Sequence, residues 1–92
     1  MIRSFRHKGL KAFFVNDDAR KLRPDQVDRV RRLLDRLDAS KSAQDMNLPG
    51  FGFHALKGDR KGEYSVSVSG NWRMTFEFDG ENAERVDLED CH

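Results

Sequence analysis

Residues 64–78 read YSVSVSGNWRMTFEF, and this pattern predicts a β-hairpin. Up to Val68 the apolar and aromatic residues alternate with serines, and the alternation resumes at Trp72. A period of two is typical of a strand with one buried face. The intervening Gly70-Asn71 pair is typical of a two-residue turn. We therefore expect two antiparallel strands that share one apolar face.

The same period of two extends the predicted sheet on both sides of the hairpin. It begins near Phe53, and after a reversal at residues 79–80 it continues through Val86 and Leu88 in a last strand. Residues 2–6 also alternate between apolar and polar side chains, and they predict a short strand at the start of the chain.

Two helices are predicted between the first strand and the others. Residues 9–15 carry apolar side chains at helical spacing. A longer helix is predicted to begin at Pro24, because proline suits a first helical turn. The spacing of Asp25 and Arg29 predicts an ion pair on the surface of this helix. Its apolar stripe consists of Val27, Val30, Leu33, Leu34 and Leu37. The order β-α-α-β-β-β-β predicts one α+β domain over residues 1–92, with two helices packed on one face of an antiparallel sheet.

The composition fits a single small soluble domain. The chain has 92 residues, 37% of them hydrophobic and 36% charged, with a net charge of +1, and a domain usually takes about 100–200 residues. No apolar run approaches the ~20 residues that cross a membrane, so we expect a cytoplasmic protein without membrane contact. Cys91 is the only cysteine, which excludes an internal disulfide and a cysteine-built zinc site. The three histidines lack the spacing of metal ligands, and we expect neither a metal nor another cofactor.

Charge is distributed unevenly along the chain. Residues 1–41 contain twelve Lys or Arg and six Asp or Glu, whereas residues 74–92 contain one basic and seven acidic residues. A basic first part suits docking on a polyanion such as a nucleic acid. Ordinary solvated faces that pair in the folded protein explain the same asymmetry.

The segment HALKGDRKG, residues 54–62, combines a histidine, further charged residues and two glycines. Glycines let backbone N–H groups approach a phosphate closely, and Lys57 and Arg60 supply positive charge. The plainer interpretation of this segment is a charged turn.

Two further clusters contain candidate site residues. Beside the hairpin turn, Arg73 is suited to holding a phosphate through two hydrogen bonds, although an ion pair with Glu77 or Asp87 explains this arginine equally well. At the end of the sequence, His92 follows Asp90 by two residues. Imidazole changes charge near neutral pH and suits acid–base catalysis, whereas a frayed terminus is the plainer interpretation.

Four segments of the sequence, in this order, together resemble the HigB branch of the RelE-like toxin superfamily, the killer proteins of bacterial toxin–antitoxin pairs. They read MIRSFRHKGL at residues 1–10, H-x-LKGDR-x-G at 54–62, NWRMTF at 71–76 and ED-x-H at 89–92. The resemblance covers the chain from end to end. It implies an mRNA endonuclease that works in the A site of the 70S ribosome and needs no metal.

The resemblance also implies roles for individual residues. The catalytic positions of the family correspond to His54, Asp90 and His92. The positions expected to hold the scissile phosphate and its neighbours correspond to Lys57, Asn71 and Arg73. We expect Arg60, in the same basic segment as Lys57, to bind RNA as well. The implied chemistry is attack by a ribose 2′-hydroxyl on the adjacent phosphorus.

The implied partner is a HigA-like helix-turn-helix antitoxin, and operator DNA would be contacted only through the toxin–antitoxin complex. One residue departs from the family pattern, because Cys91 stands where the family usually has tyrosine between the acid and the last histidine. Two functions therefore remain open: an active ribosome-dependent endoribonuclease, or a weakened or inactive toxin-like module that still binds its antitoxin or the ribosome.

Overall fold

The computed structural model describes residues 1–90. Its helices are α1 (Lys8–Asn16) and α2 (Val27–Ala39). Its strands are β1 (His54–Ala55), β2 (Glu63–Ser69), β3 (Trp72–Asp79) and β4 (Asn82–Asp90). Short 3₁₀ turns cover Pro24–Gln26, Ala43–Met46 and Gly58–Arg60.

Strands β2 and β3 form the predicted hairpin. They pair antiparallel, with Val66 opposite Met74 and Ser65 opposite Thr75. Gly70 in the turn has φ of 54°, a left-handed conformation that glycine adopts without strain. The sheet order is β1-β2-β3-β4, and each neighbouring pair is antiparallel. The predicted antiparallel sheet is therefore confirmed for these four strands.

The first residues lie along the outer edge of β4, in the parallel direction. Ile2 bridges to Ala83 and Phe5 bridges to Val86, as two isolated bridges instead of the strand expected over residues 2–6. Between the bridges Arg85 has φ of 54°, and its backbone N–H donates to the side-chain oxygen of Ser4 at 2.9 Å. This bulge interrupts the ladder, because the N–H bonds a side chain where a strand would offer a backbone carbonyl.

Both helices pack on one face of the sheet, as predicted. The stripe of α2 and the buried residues of α1 meet the apolar sides of β2, β3 and β4 in one core. Its fully buried members include Leu10, Val30, Leu33, Leu34, Leu37, Val66, Met74, Phe76 and Val86. Each such side chain contributes about 1.5–3 kcal/mol relative to an exposed one. This face fixes the orientation of the sheet and leaves the opposite face for polar residues.

The helix ends follow from local hydrogen bonding. The side chain of His7 caps α1, since its Nδ1 accepts from the backbone N–H of Leu10 at 3.1 Å. Pro24 opens a 3₁₀ turn, and the α-helical part begins only at Val27. Within residues 1–90 the longest helix has 13 residues, and none of the helices has the length and apolar character needed to cross a membrane.

Candidate active site

The face of the sheet opposite the helices carries a row of paired polar positions. His54 of β1 lies opposite Ser65 of β2, which in turn lies opposite Thr75 of β3. Residues directly opposite in an antiparallel pair share a face. On β4, Glu89 joins the same face, because its carboxylate accepts from the Thr75 hydroxyl at 2.6 Å.

Two short polar side chains of this face, Ser65 and Thr75, are buried rather than open to solvent. Ser65 is 1% exposed and Thr75 is 2% exposed. Ser65 receives the guanidinium of Arg73, and Thr75 donates to Glu89. Long side chains from neighbouring strands thus cover the short ones, which strand alternation alone does not reveal.

A cleft of about 280 Å³ opens on this face. Three of the predicted site residues line it together with apolar and hydroxyl side chains. Its lining consists of His54, Leu56, Arg60, Ser65, Arg73 and Thr75. The structure therefore brings one candidate proton-transfer group, the exposed His54, to the same cleft as two guanidinium groups.

Arg73 is held by neutral oxygen atoms. Its Nε donates to the hydroxyl of Ser65 at 2.8 Å, and its Nη2 donates to the backbone carbonyl of Gly52. The expected alternative, an ion pair with Glu77 or Asp87, is wrong, since within residues 1–90 Arg73 forms no ion pair. Its positive charge is oriented without being neutralised, which suits a residue that receives a phosphate.

Gly52 makes this contact possible. Its φ is 59°, and a Cβ added there would lie 3.3 Å from the Cβ of Ser67 and 4.0 Å from Nη2 of Arg73. Only glycine combines that conformation with so close an approach. The loop before β1 therefore helps to fix Arg73.

Arg60 is held in the opposite way, between two carboxylates. Its Nη2 lies 2.8 Å from the Glu63 carboxylate and 2.6 Å from the Glu89 carboxylate. The hydrogen bonds that Arg60 donates to Glu89 and, to a smaller extent, to Glu63 raise the pKa of Arg60 above its usual value. The same contacts, with Arg60 as the largest cause, hold the pKa values of Glu63 and Glu89 below the ordinary glutamate value, although burial opposes the shift.

The role of Glu63 and Glu89 was not anticipated from the sequence. Glu89 belongs to the ending that resembles the family, but its neighbour Asp90 received the catalytic role. Strand alternation could have indicated Glu89, because residues two apart share a face of the sheet. Glu89 follows the half-buried Asp87 by two positions. The signal for Glu63 is its separation of three residues from Arg60 along the turn.

The remaining predicted site residues lie outside the cleft. Lys57 is exposed two residues after β1 and lines a second cavity. Asn71 is exposed in the hairpin turn. Asp90 lies opposite Trp72, and alternation assigns it the side of Leu88, away from Glu89. Cys91 and His92 lie outside the described residues, so the proposed roles of His92 and Asp90 stay predictions.

Metal ligation has no candidate in the described part of the chain. No group of three His, Cys, Asp or Glu side chains within residues 1–90 is arranged to hold an ion. The carboxylates of the cleft are engaged by Arg60 and Thr75.

Comparison with known proteins identifies the class to which this fold and cleft belong. The family model described as RelE-like toxin of type II toxin–antitoxin system HigB matches residues 3–92. The chain belongs to this family of HigB-like toxins, and a type II toxin is paired with an antitoxin.

Individual relatives carry more specific names. The chain is 38% identical to Endoribonuclease HigB of Proteus vulgaris over 92 residues, which is 100% of both chains. It is 31% identical to Toxin HigB-1 of Vibrio cholerae serotype O1 over 80 residues, covering 85% of this chain and 84% of the relative.

Proposed function

We propose that this chain is an endoribonuclease toxin that cleaves mRNA in the A site of the 70S ribosome. The observation that carries the proposal is the cleft lined by both His54 and Arg73. Cleavage of a phosphodiester requires a group that moves protons and a cation that stabilises the charged phosphorus centre. Membership of the HigB-like family and the name of the Proteus vulgaris relative support the same activity.

The proposed reaction begins at the 2′-hydroxyl next to the scissile phosphate. A base takes the proton of this hydroxyl while its oxygen attacks the phosphorus. The bond from phosphorus to the 5′-oxygen breaks, and an acid gives that oxygen a proton. The products are a 2′,3′-cyclic phosphate and a 5′-hydroxyl, and protons move between side chains and RNA without a metal.

The proposal assigns proton transfer to the two histidines. His54 is the proposed base, because its imidazole is exposed at the edge of the cleft. His92 is the proposed acid, because it follows Asp90 by two residues in the sequence and a neighbouring carboxylate would favour the protonated imidazole that an acid needs. Each such group typically contributes ~10²–10⁴-fold to a rate.

Phosphate binding is assigned to two cations that form no ion pair within residues 1–90, Arg73 and Lys57, and to the amide of Asn71. Arg73 holds the scissile phosphate, and Lys57 and Asn71 hold its neighbours. Arg60, predicted to bind RNA, already donates to two carboxylates. Its contribution to RNA binding is therefore the smallest among the predicted ligands.

The proposed partners follow from this role. A HigA-like helix-turn-helix antitoxin neutralises the toxin, operator DNA is contacted only through their complex, and the site of action is the cytoplasm, where ribosomes translate. Among residues 1–90 the cleft contains one candidate proton-transfer group, His54, which favours a substrate positioned by the ribosome.

The test is expression of the chain alone, followed by primer extension on RNA from the induced cells. We expect growth arrest and cuts within translated reading frames, and we expect His54→Ala to abolish both. Purified protein added to naked RNA should cut it poorly. Efficient cutting of free RNA in buffer would refute the dependence on the ribosome.

The second candidate, a toxin-like module without cleavage, is favoured by one observation: Cys91 replaces the usual tyrosine. It predicts that the chain co-purifies with its antitoxin or with ribosomes while the RNA of induced cells stays intact. The same induced cultures distinguish the two candidates.

A further inference from the structure

A second cavity, of about 440 Å³, lies beside the candidate active site. It is lined by Ala55, Leu56, Lys57, Gly58, Lys61, Gly62 and Tyr64. Its volume falls within the range of cavities that bind small ligands. Of its lining residues, only Lys57 has a role in the function proposed above.

The two cavities lie on opposite sides of the edge strand β1. Consecutive strand residues point to opposite faces, and His54 lines the first cavity while Ala55 lines the second. Leu56 lines both. Because β1 is the outermost strand and only two residues long, a nucleic-acid strand bound at His54 can pass over this edge into the second cavity.

The charge of the turn between β1 and β2 is concentrated at this cavity. Arg60, the only arginine of the turn, forms ion pairs with Glu63 and Glu89. Its charge is therefore not available at this cavity. Lys57 and Lys61 are exposed, and neither forms an ion pair within residues 1–90. Asp59, the remaining charged residue of the turn, does not line the cavity. Two free ammonium groups therefore flank one opening.

Two glycines leave main-chain atoms uncovered at the cavity, because they have no side chain. Gly58 and Gly62 have φ of 66° and 98°, and a Cβ added to either would meet nothing within 4 Å. A ligand can therefore approach their main-chain atoms closely. This combination of lysines and bare backbone suits a phosphate group.

Tyr64 forms the apolar wall of the cavity. Its ring is stacked on Phe53 at 5.7 Å and on Phe76 at 6.0 Å between ring centroids. The ring is thus already stacked on two aromatic rings of the protein, which leaves less stacking surface for a base of the ligand. A ribose and its phosphate fit this lining better than a stacked base.

We propose that Lys57, Lys61 and Tyr64 form a second RNA subsite, which binds the phosphate and ribose of a nucleotide adjacent to the scissile phosphate. This inference rests on the proposed endoribonuclease function and names Lys61 as a binding residue that neither the motifs nor the family resemblance indicated. It also explains the arrangement of Arg60, whose two ion pairs hold the turn so that both lysines border the cavity.

The test measures binding of a fluorescent single-stranded hexanucleotide with 2′-O-methyl groups throughout, which cannot undergo 2′-hydroxyl attack. Binding is followed by anisotropy from 50 to 200 mM salt. Removal of one cation that binds a phosphate of a single strand lowers the slope of log affinity against log salt by about 0.7. We expect this change for Lys61→Ala, together with about threefold weaker binding at 50 mM salt.

The matched control is Lys41→Ala, because Lys41 is an exposed lysine after α2 that lines neither cavity. It should leave slope and affinity unchanged. In NMR titrations with the same oligonucleotide, the amide signals of Gly58 and Gly62 should shift in the unmodified protein. Identical slopes for the two variants, or unmoved glycine signals at saturation, would overturn the subsite.

Cleavage of ribosome-bound mRNA separates this proposal from the function on which it rests. If Lys61→Ala binds RNA more weakly but the unmodified protein cuts no RNA, the subsite is supported and the nuclease function is refuted. Full cleavage by Lys61→Ala with an unchanged KM for mRNA-programmed ribosomes would refute the subsite and leave the nuclease standing.

Discussion

Two arginines at the same cleft are prepared for different tasks by the atoms around them. Arg73 donates to a serine hydroxyl and to backbone carbonyls, whereas Arg60 is held by two carboxylates. Within residues 1–90 Arg73 forms no ion pair and keeps its charge available to a ligand, whereas Arg60 uses its charge to hold the turn against β2 and β4. Residue type and motif position alone predicted RNA binding for both arginines, because every partner except Glu63 lies eight or more residues away along the sequence.

The terminal residues give the clearest contrast in chemistry. His92→Ala should slow cleavage by ~10²-fold or more, within the usual range for an acid–base group. Cys91→Ala should be nearly silent, because a neutral thiol is a weak hydrogen-bonder, and Cys91→Tyr should match or raise the activity. The measurement is single-turnover cleavage of mRNA in programmed ribosomes at fixed pH. Abolished cleavage in Cys91→Ala with intact cleavage in His92→Ala would reverse the roles.

Among the elements, the turn from β1 to β2 depends on β4 for its position. Arg60 belongs to the 3₁₀ turn Gly58–Arg60, and Glu89 is the next-to-last residue of β4. Their ion pair, at 2.6 Å, joins segments separated by 29 residues. The cleft and the second cavity both border this turn, so the ion pair helps to shape both.

The pH dependence of stability tests this connection. Glu63 and Glu89 have pKa values below the ordinary 4.5, so their stabilisation is complete above pH 4.5 and declines as pH falls through the lowered values. Glu89→Gln should cost about 1 kcal/mol at pH 7, or about 4–8 °C in Tm. The variant should also lose stability less steeply than the unmodified protein below pH 4.5.

Thermal unfolding monitored by circular dichroism between pH 3 and 7 measures both effects. The control is Glu81→Gln, since Glu81 is exposed in the turn between β3 and β4. If Glu89→Gln and Glu81→Gln follow the same pH profile, the Arg60 ion pairs contribute nothing to stability.

Strand alternation and turn residues were sufficient to predict the hairpin, and helical spacing was sufficient to predict the α2 stripe, because these patterns are local. The surface pair of Asp25 and Arg29 was predicted wrongly. Arg29 donates instead to the backbone carbonyls of Ser67 and Gly50. An exposed pair of this kind is worth only ~0.2–0.5 kcal/mol, whereas the carbonyl of Ser67 is partly buried, where an unpaired backbone group is costly. Such hydrogen bonds join residues far apart in the sequence, so local patterns do not predict them. The set of residues that line the cleft also depends on contacts between distant segments, and local patterns do not predict it either.

Over the whole molecule, the basic first part is less uniform than its sequence indicated. Arg20 is paired with Asp18, and Arg23 with Asp25. The cations of this part that lie exposed without an ion pair in the described residues include Lys8, Lys11 and Lys21. Two of them are close in space, since a Cβ on Gly9, beside Lys8, would lie 2.9 Å from the Cβ of Lys21. These lysines are the best candidates for contacts with ribosomal RNA.

Charge reversal tests that assignment. The triple variant Lys8→Glu, Lys11→Glu, Lys21→Glu should weaken ribosome pelleting and lower the salt slope of log affinity by roughly one for each phosphate that the variant no longer binds. The matched control is Arg20→Gln, whose charge is already offset by Asp18. If the triple variant and the control pellet equally with ribosomes at low and high salt, these lysines do not contact ribosomal RNA.

The parallel bridges of Ile2 and Phe5 to β4 have a consequence for the order in which the protein is made. Synthesis proceeds from the first residue, so these residues must wait for residues 83–86 before they can bond. Glu89, which secures Arg60, is made later still. The cleft of a nascent chain therefore takes its final arrangement only after β4 has been made.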